Sequence, residues 1–387
     1  MWLPYRLTQL LPTGPRLRKA WYGSPIFHGQ RELKRRFTLA SRMGMAASQR
    51  QPPAAGVTVA RIIGNDLYPR HRQGQALINL QTILRNESSR DDWRKLFVLN
   101  RIVDEATQAQ AASAVEAAGH DVLTIPFRPS EYQALRYRPE LFGGADYFQS
   151  ATFAAKDPFA QDRERIWACG DKIRYLMNIN GARNQALQRG RVQSGWTLVL
   201  DGSCYITESA VTAISDDLSS DPLVPYVIIP MRRLEAGAEP EQADVSPIFR
   251  EEPQIAFSAD AREHFDENYP YGVRDKTSLL NRLGVPGPWC AWTPLAWYSE
   301  SQTRSDERYL YKYGSAAVLR LTSGVNNGAL EKPAAQMTRY RSRITAIFST
   351  LMMVDRLCEA PDASSLSSIA GLPLPDQSEP APAENVL

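Results

Sequence analysis

Two periodicities alternate along the first half of the chain. Residues 57–63 are a β-branched run that reads as a strand, and residues 74–84 place Leu77, Leu80 and Leu84 at helical spacing. Residues 95–99 form a second apolar run, 105–118 an Ala-rich helix and 121–126 a third strand. This β-α-β-α-β order predicts a parallel sheet joined by right-handed crossovers. Residues 127–167 break the pattern with Tyr132, Tyr137, Phe142, Tyr147, Phe148 and Phe153, and read as an excursion from the core. A single helix is expected over 171–190, with Lys172 and Arg174 as solvated charges, then a strand at 196–200 and a helix at 208–218. Strands at 224–230 and 254–257 follow, separated by a loop at 241–252. The remaining elements are a short helix at 277–283 stopped by Gly284, a strand at 316–321 and a helix at 337–358. That last helix carries Ile344, Ile347, Leu351 and Val354 on one face.

The 387 residues, 43% of them hydrophobic, suffice for one large α/β domain or two smaller ones. A net charge of +3 gives no ground for nucleic-acid binding. Basic residues crowd the first fifty positions, whereas no Lys or Arg follows Arg356. The organisation read from this is a basic, poorly ordered extension at 1–55, one domain at 56–330, a C-terminal helix at 331–358 and a disordered acidic, Pro-rich tail at 359–387. The four cysteines and four histidines show no metal-ligand spacing, so free thiols and no zinc site are expected. No apolar run approaches the roughly 20 residues that span a bilayer. The start carries prolines and arginines where a secretion signal needs an apolar centre. A soluble cytoplasmic protein is expected. Its basic first segment is either unordered or a peripheral contact for the anionic inner face of a membrane.

The most informative segment is 181–207, GARNQALQRGRVQSGWTLVLDGSCYIT. Trp196, Leu198, Val199 and Leu200 suit a strand buried on both faces, and Asp201-Gly202-Ser203 follows at once. An acidic turn there projects a carboxylate from the carboxyl edge of the sheet, where open α/β sheets bind ligands. Ala182-Arg183-Asn184, a helix, and a strand ending Leu200-Asp201 resemble the "ARN … LD-x-D" segment of GT-A glycosyltransferases, family 2 above all. The resemblance implies a GT-A three-layer sandwich and a nucleotide-sugar donor. It also implies that Asp201 contacts the donor and a divalent cation, Mn²⁺ or Mg²⁺. Ser203 stands where the family has a second Asp, leaving one carboxylate, diphosphate oxygens and waters to hold the ion.

The same resemblance assigns the other candidates. Asn65 and Asp66 end the first strand and would meet the nucleoside; a polar cap is the alternative. Asp104, after the second strand, stands where the family often has an acid on the base, and it also fits a helix N-cap. Arg101 would reach a phosphate or pair with Asp104. Arg183 and Asn184 would steady the diphosphate; pairing of Arg183 with Asp201 is the alternative, compatible with that role. In residues 271–283 the family's G-x-E-D loop and L-x-x-R-L match places Asp275 at the Glu position and Lys276 at the Asp position. Asp275 is the candidate base for the acceptor hydroxyl, with Glu251, Glu252 and Asp266 as rivals. Trp289 and Trp292 would stack on an acceptor sugar or fill core space, and the aromatics before Trp167 would belong to the same groove or stand apart from it.

No dinucleotide loop, P-loop or nucleophile elbow is present. The expected function is transfer of a sugar from a nucleotide-sugar to a glycan or other hydroxyl acceptor, with inversion and a divalent cation. Ser203 and Lys276 keep open a second possibility, a GT-A-like module that binds glycan or nucleotide without turnover. A nucleotidyltransferase would need a Gly-rich basic loop after the first strand. There the chain has Arg70, His71 and Arg72 with only Gly74.

Overall fold

The computed structural model describes residues 56–88, 90–221, 223–234, 238–249, 251–271, 275–287, 310–321 and 333–370. The alternating half of the chain folds as its periodicity predicts. Strand β1 (Val57–Ile63), helix α1 (Gln75–Asn86), β2 (Trp93–Asn100), α2 (Glu105–Ala117) and β3 (Asp121–Ile125) follow in order. They continue through α3 (Pro129–Ala134), α4 (Ala151–Ala154), α5 (Pro158–Ala168), α6 (Gly170–Met177) and α7 (Ile179–Gln193) to β4 (Trp196–Asp201). Beyond these come β5 (Cys204–Tyr205), α8 (Glu208–Ser219), β6 (Tyr226–Ile229), β7 (Met231–Arg233) and β8 (Gln254–Ser258). The last described elements are α9 (Asp275–Arg282), β9 (Tyr311–Tyr313), β10 (Val318–Arg320), α10 (Pro333–Leu357) and α11 (Ala363–Ala370).

Seven strands form one sheet in the order β3-β2-β1-β4-β8-β6-β9. Six of the seven point the same way, and β8 runs antiparallel to both β4 and β6. Strand β1 sits between β2 and β4, with Ile62 in register with Asp201. Its side chains alternate between two packed layers. Ala60 and Ile62 pack with Ala182, Ala186 and Leu187 of α7 and with Leu279 and Leu280 of α9. On the opposite face, Val57 and Val59 join Ala210 and Ile214 of α8, and Ile63 joins Leu80, Ile83 and Val115 of α1 and α2. Helices on both faces of a mostly parallel sheet give the expected three-layer architecture. A second sheet, β5-β10-β7, lies beside the end of β4.

Four features depart from the sequence reading. The helix expected over 171–190 is two helices, because Asn178 takes a left-handed conformation at φ 39°. Asn is among the few non-Gly residues that tolerate this geometry. Its side chain is held in place by a 2.9 Å bond from Nδ2 to Asn100 Oδ1 at the tip of β2. The aromatic stretch is core, since Tyr132, Phe148 and Phe153 are buried with Ile344, Ile347 and Leu351 of α10. It therefore builds a helical layer, with Tyr132, Phe148 and Phe153 spent on packing. Lys172 is fully buried rather than solvated, and its Nζ donates to Asp355 at 2.9 Å and Asp362 at 2.6 Å. Residues 363–370, assigned to a disordered tail, form a helix with Leu366 and Ile369 buried. Gln149 and Arg165 fasten it by donating to the carbonyls of Ser368 and Ile369. The proposed extension at 1–55 and residues 371–387 lie outside the described residues.

The described cysteines Cys169, Cys204 and Cys358 are buried free thiols. Among the described residues no helix is long and apolar enough to cross a membrane.

Candidate active site

The carboxyl ends of β1 and β4 open on one cavity of about 240 Å³. Its floor is the turn Asp201-Gly202-Ser203. The turn passes so close to β1 that a Cβ on Gly202 would stand 2.6 Å from the Ile62 carbonyl oxygen. Glycine is thus required there by contact, and the turn it permits keeps Asp201 on the cavity lining.

Asp201 is held by cations on both oxygens. Arg183 donates from Nη2 to Oδ1 at 2.9 Å, and Lys276 approaches Oδ2 at 3.4 Å. Arg183 is fixed in turn by Asn180 Oδ1 at 3.1 Å and by the Phe265 ring 5.2 Å away. Lys276, at the start of α9, also donates to Gln254 Oε1 at 3.0 Å and lies 3.9 Å from Glu252. Burial alone would raise the Asp201 carboxyl, but Lys276, Arg183 and Arg320 hold it well below the usual carboxylate range.

Asn65 and Asp66 line the cavity from the tip of β1, as expected. Both also have local partners. Asn65 donates to the Arg101 carbonyl at 2.7 Å and accepts from the Val103 N–H at 2.9 Å, while Asp66 accepts from the Ala76 N–H at 2.9 Å. Burial raises the Asp66 carboxyl, opposed by the N–H groups at the start of α1. Ser203 lines the cavity beside Asp201.

Asp104, Arg101 and Asn184 do not line the cavity. Asp104 caps α2 by accepting from the Thr107 N–H at 2.9 Å. Arg101 has φ 47°, stacks 3.7 Å from the centre of the Tyr175 ring and donates to the Tyr175 carbonyl. Asn184 bonds both polar groups of Phe265 and Glu267 Oε1, fixing the 265–267 loop. Of the rival acids, Glu252 lines the cavity, whereas Glu251 makes two 3.1 Å bonds to Arg233 and Asp266 caps its own turn through Asn268. The Asp275 side chain, Trp289 and Trp292 lie outside the described residues.

Sequence reasoning picked out Arg183 but missed the three other arginines of the wall. Arg70 stands on the loop after β1, Arg320 at the end of β10 and Arg343 on α10. Arg320 is delivered by the small sheet, where it is in register with Cys204 and Arg233. His71 lines the same wall and accepts at Nδ1 from the Leu67 N–H at 3.2 Å. Burial, then Arg70 and Arg320, push this imidazole down to about 4.

A divalent cation fits this donor set poorly. Hard cations take several oxygen ligands, but both Asp201 oxygens are engaged by cations and the second family carboxylate is a serine. Among the described residues no group of three Asp, Glu, His or Cys side chains converges to hold a metal ion.

Neither a family model nor a curated protein matches the chain. Solved structures give loose superpositions. The mannosyltransferase PcManGT from Pyrobaculum calidifontis, in complex with GDP-Man and Mn²⁺, is 11% identical with a TM-score of 0.36, covering 91% of this chain and 85% of that one. S. aureus TarS 1–349 in complex with UDP is 9% identical with a TM-score of 0.35, covering 82% and 70%. Mouse xyloside xylosyltransferase 1 is 13% identical with a TM-score of 0.25, covering 45% and 53%. Sugar transferases are thus among the proteins this chain is similar to. At these TM-scores the likeness assigns no activity.

Proposed function

We propose that the chain is a glycosyltransferase that moves a sugar from a nucleotide-diphosphate donor to a hydroxyl acceptor. One observation carries this reading. The Arg183–Asp201 pair stands at the carboxyl edge of β4 and faces a cavity shared with the polar tip of β1. In an open α/β sheet that crevice is the ligand site. Asn65 and Asp66 take the nucleoside, and Arg183 with its neighbours takes the diphosphate.

In the reaction the acceptor oxygen bonds to the anomeric carbon as the bond to the diphosphate oxygen breaks. A carboxylate accepts the hydroxyl proton, and the configuration inverts. Glu252 is the rival base whose side chain reaches the cavity; Asp275 retains its place as a candidate through its motif alone. Negative charge grows on the leaving diphosphate, and preorganised cations around Asp201 stabilise it without reorganising.

The acceptor-free release of nucleotide from a panel of UDP- and GDP-sugars tests the reading. Slow release from one donor class is expected, falling at least about 100-fold in Asp201→Asn. Glu252→Gln is expected to slow transfer by about 10²-fold or more with nucleotide affinity kept. Release unchanged in Asp201→Asn would remove that residue from the chemistry. Lys276, at the place of the family's acid, favours a second reading as a binding module. Calorimetric binding of nucleotide without turnover of any donor would decide for it.

A further inference from the structure

We infer that this cavity neutralises its diphosphate ligand with guanidinium groups and Lys276 in place of a divalent cation, so that nucleotide binding needs no metal. This rests on the donor reading above and goes beyond it.

The charge balance comes first. Arg70, Arg183, Arg320 and Arg343 line the cavity, and Lys276 reaches Asp201 from beside it. Among the described residues three carboxylates on the wall, Asp66, Asp201 and Glu252, stand against these five cations, a surplus there of two positive charges. A metal ion would add to that surplus and would have to displace Lys276 or Arg183 from the one central carboxylate. A diphosphate removes it.

Unmet hydrogen bonding points the same way. Arg70 Nη1 and Arg320 Nε are buried without a hydrogen-bond partner among the described residues. Buried donors are seldom left unsatisfied, and an orphan one is costly. These two belong to elements far apart in sequence, the loop after β1 and the end of β10, yet both face one cavity. Guanidinium groups bind phosphate oxygens through paired, fixed donors. Mutual repulsion adds to the case. Burial first, then Arg343, Arg320 and Arg233, push Arg70 down to about 10, opposed by Tyr271. An anion at the centre would offset this repulsion on Arg70.

Asp201 is then a positioning residue. It holds Arg183 and Lys276 in place and leaves contact with the diphosphate to them.

The test is calorimetry with UDP, GDP and inorganic pyrophosphate on the full chain, in EDTA and again in Mn²⁺. Binding of a nucleotide and of pyrophosphate in EDTA, with affinities within about twofold of those in Mn²⁺, is the expected result. Arg70→Met and Arg320→Met should each weaken pyrophosphate about 10- to 100-fold, with melting curves confirming that each variant is folded. Pyrophosphate bound in EDTA without any nucleotide upholds the inference and removes the donor reading. Nucleotide bound only with Mn²⁺ overturns the inference and spares that reading. No binding under any condition, or wild-type affinity in both arginine variants, overturns the inference as well.

Discussion

Asp201 sits among more positive charge than it can neutralise, and this governs how the site responds to pH. His71 shares the wall and feels the same field. Its folded value of about 4 lies below the ordinary 6.5. A base depressed by folding binds protons more readily in the unfolded chain. Its contribution is therefore neutral above about 6.5 and destabilises the fold progressively as pH falls towards 4. Filling the cavity with an anion reverses part of the shift. The expected outcome is that pyrophosphate raises the His71 titration midpoint by about one unit or more, read from its imidazole proton shifts by NMR; a midpoint that stays put would place the anion elsewhere. Asp201 and Arg183 were legible because one strand and the helix before it carry both, so local pattern implies their meeting. Arg70, Arg320 and Arg343 were not. Nothing near an arginine in sequence says which distant strand end it will face, and only the second sheet brings Arg320 beside Ser203, with the Leu321 N–H donating to the Ser203 carbonyl at 2.8 Å.

Among elements, α10 has the largest structural role outside the sheet. Its Asp355 is buried, accepts from the Tyr132 hydroxyl at 2.8 Å and from the Tyr137 hydroxyl, and pairs with the fully buried Lys172 of α6. Removing one partner strands a charge without water. Asp355→Ala is expected to cost about 3 kcal/mol or more in chemical denaturation. Breaking the exposed Arg94–Asp121 pair should cost less than about 1 kcal/mol. Equal effects would contradict the view that this network holds the helical layer. The strands and helices of the α/β half were readable because a buried strand and an amphipathic helix impose unmistakable periods. The helical layer was not, because its aromatics are spaced irregularly along short helices. Lys172 and Asp355 look like surface charges until their long-range pairing is known. The capping role of Asp104 was one of two readings left open by the sequence, and the side-chain bond to Thr107 favours it.

For the whole molecule, the cavity wall draws on the sheet at Asp201 and Arg320 and on the helical layer at Arg343. A ligand seated there therefore stabilises both at once. Saturation with UDP or pyrophosphate at about 100 times Kd should add about 2.7 kcal/mol to a single unfolding transition. Two thermal transitions, with only one moved by ligand, would show that the layers unfold separately and that Arg343 contributes little. The three-layer sheet architecture was legible from element order. The alliance of α10 with the active cavity was not, because it depends on how residues more than a hundred positions apart come to rest.

Asn178 ties these parts together. It ends one helix of the aromatic layer, begins the helix that carries Arg183, and clasps the tip of β2 through Asn100. Leu176, Met177 and Ile179 on either side of it form part of the cavity wall. The joint is therefore shared property: a tilt of the outer helices turns the same peptide units that shape the cavity. Side chains remote from the cavity can in this way set its width while the groups on its wall stay as they are.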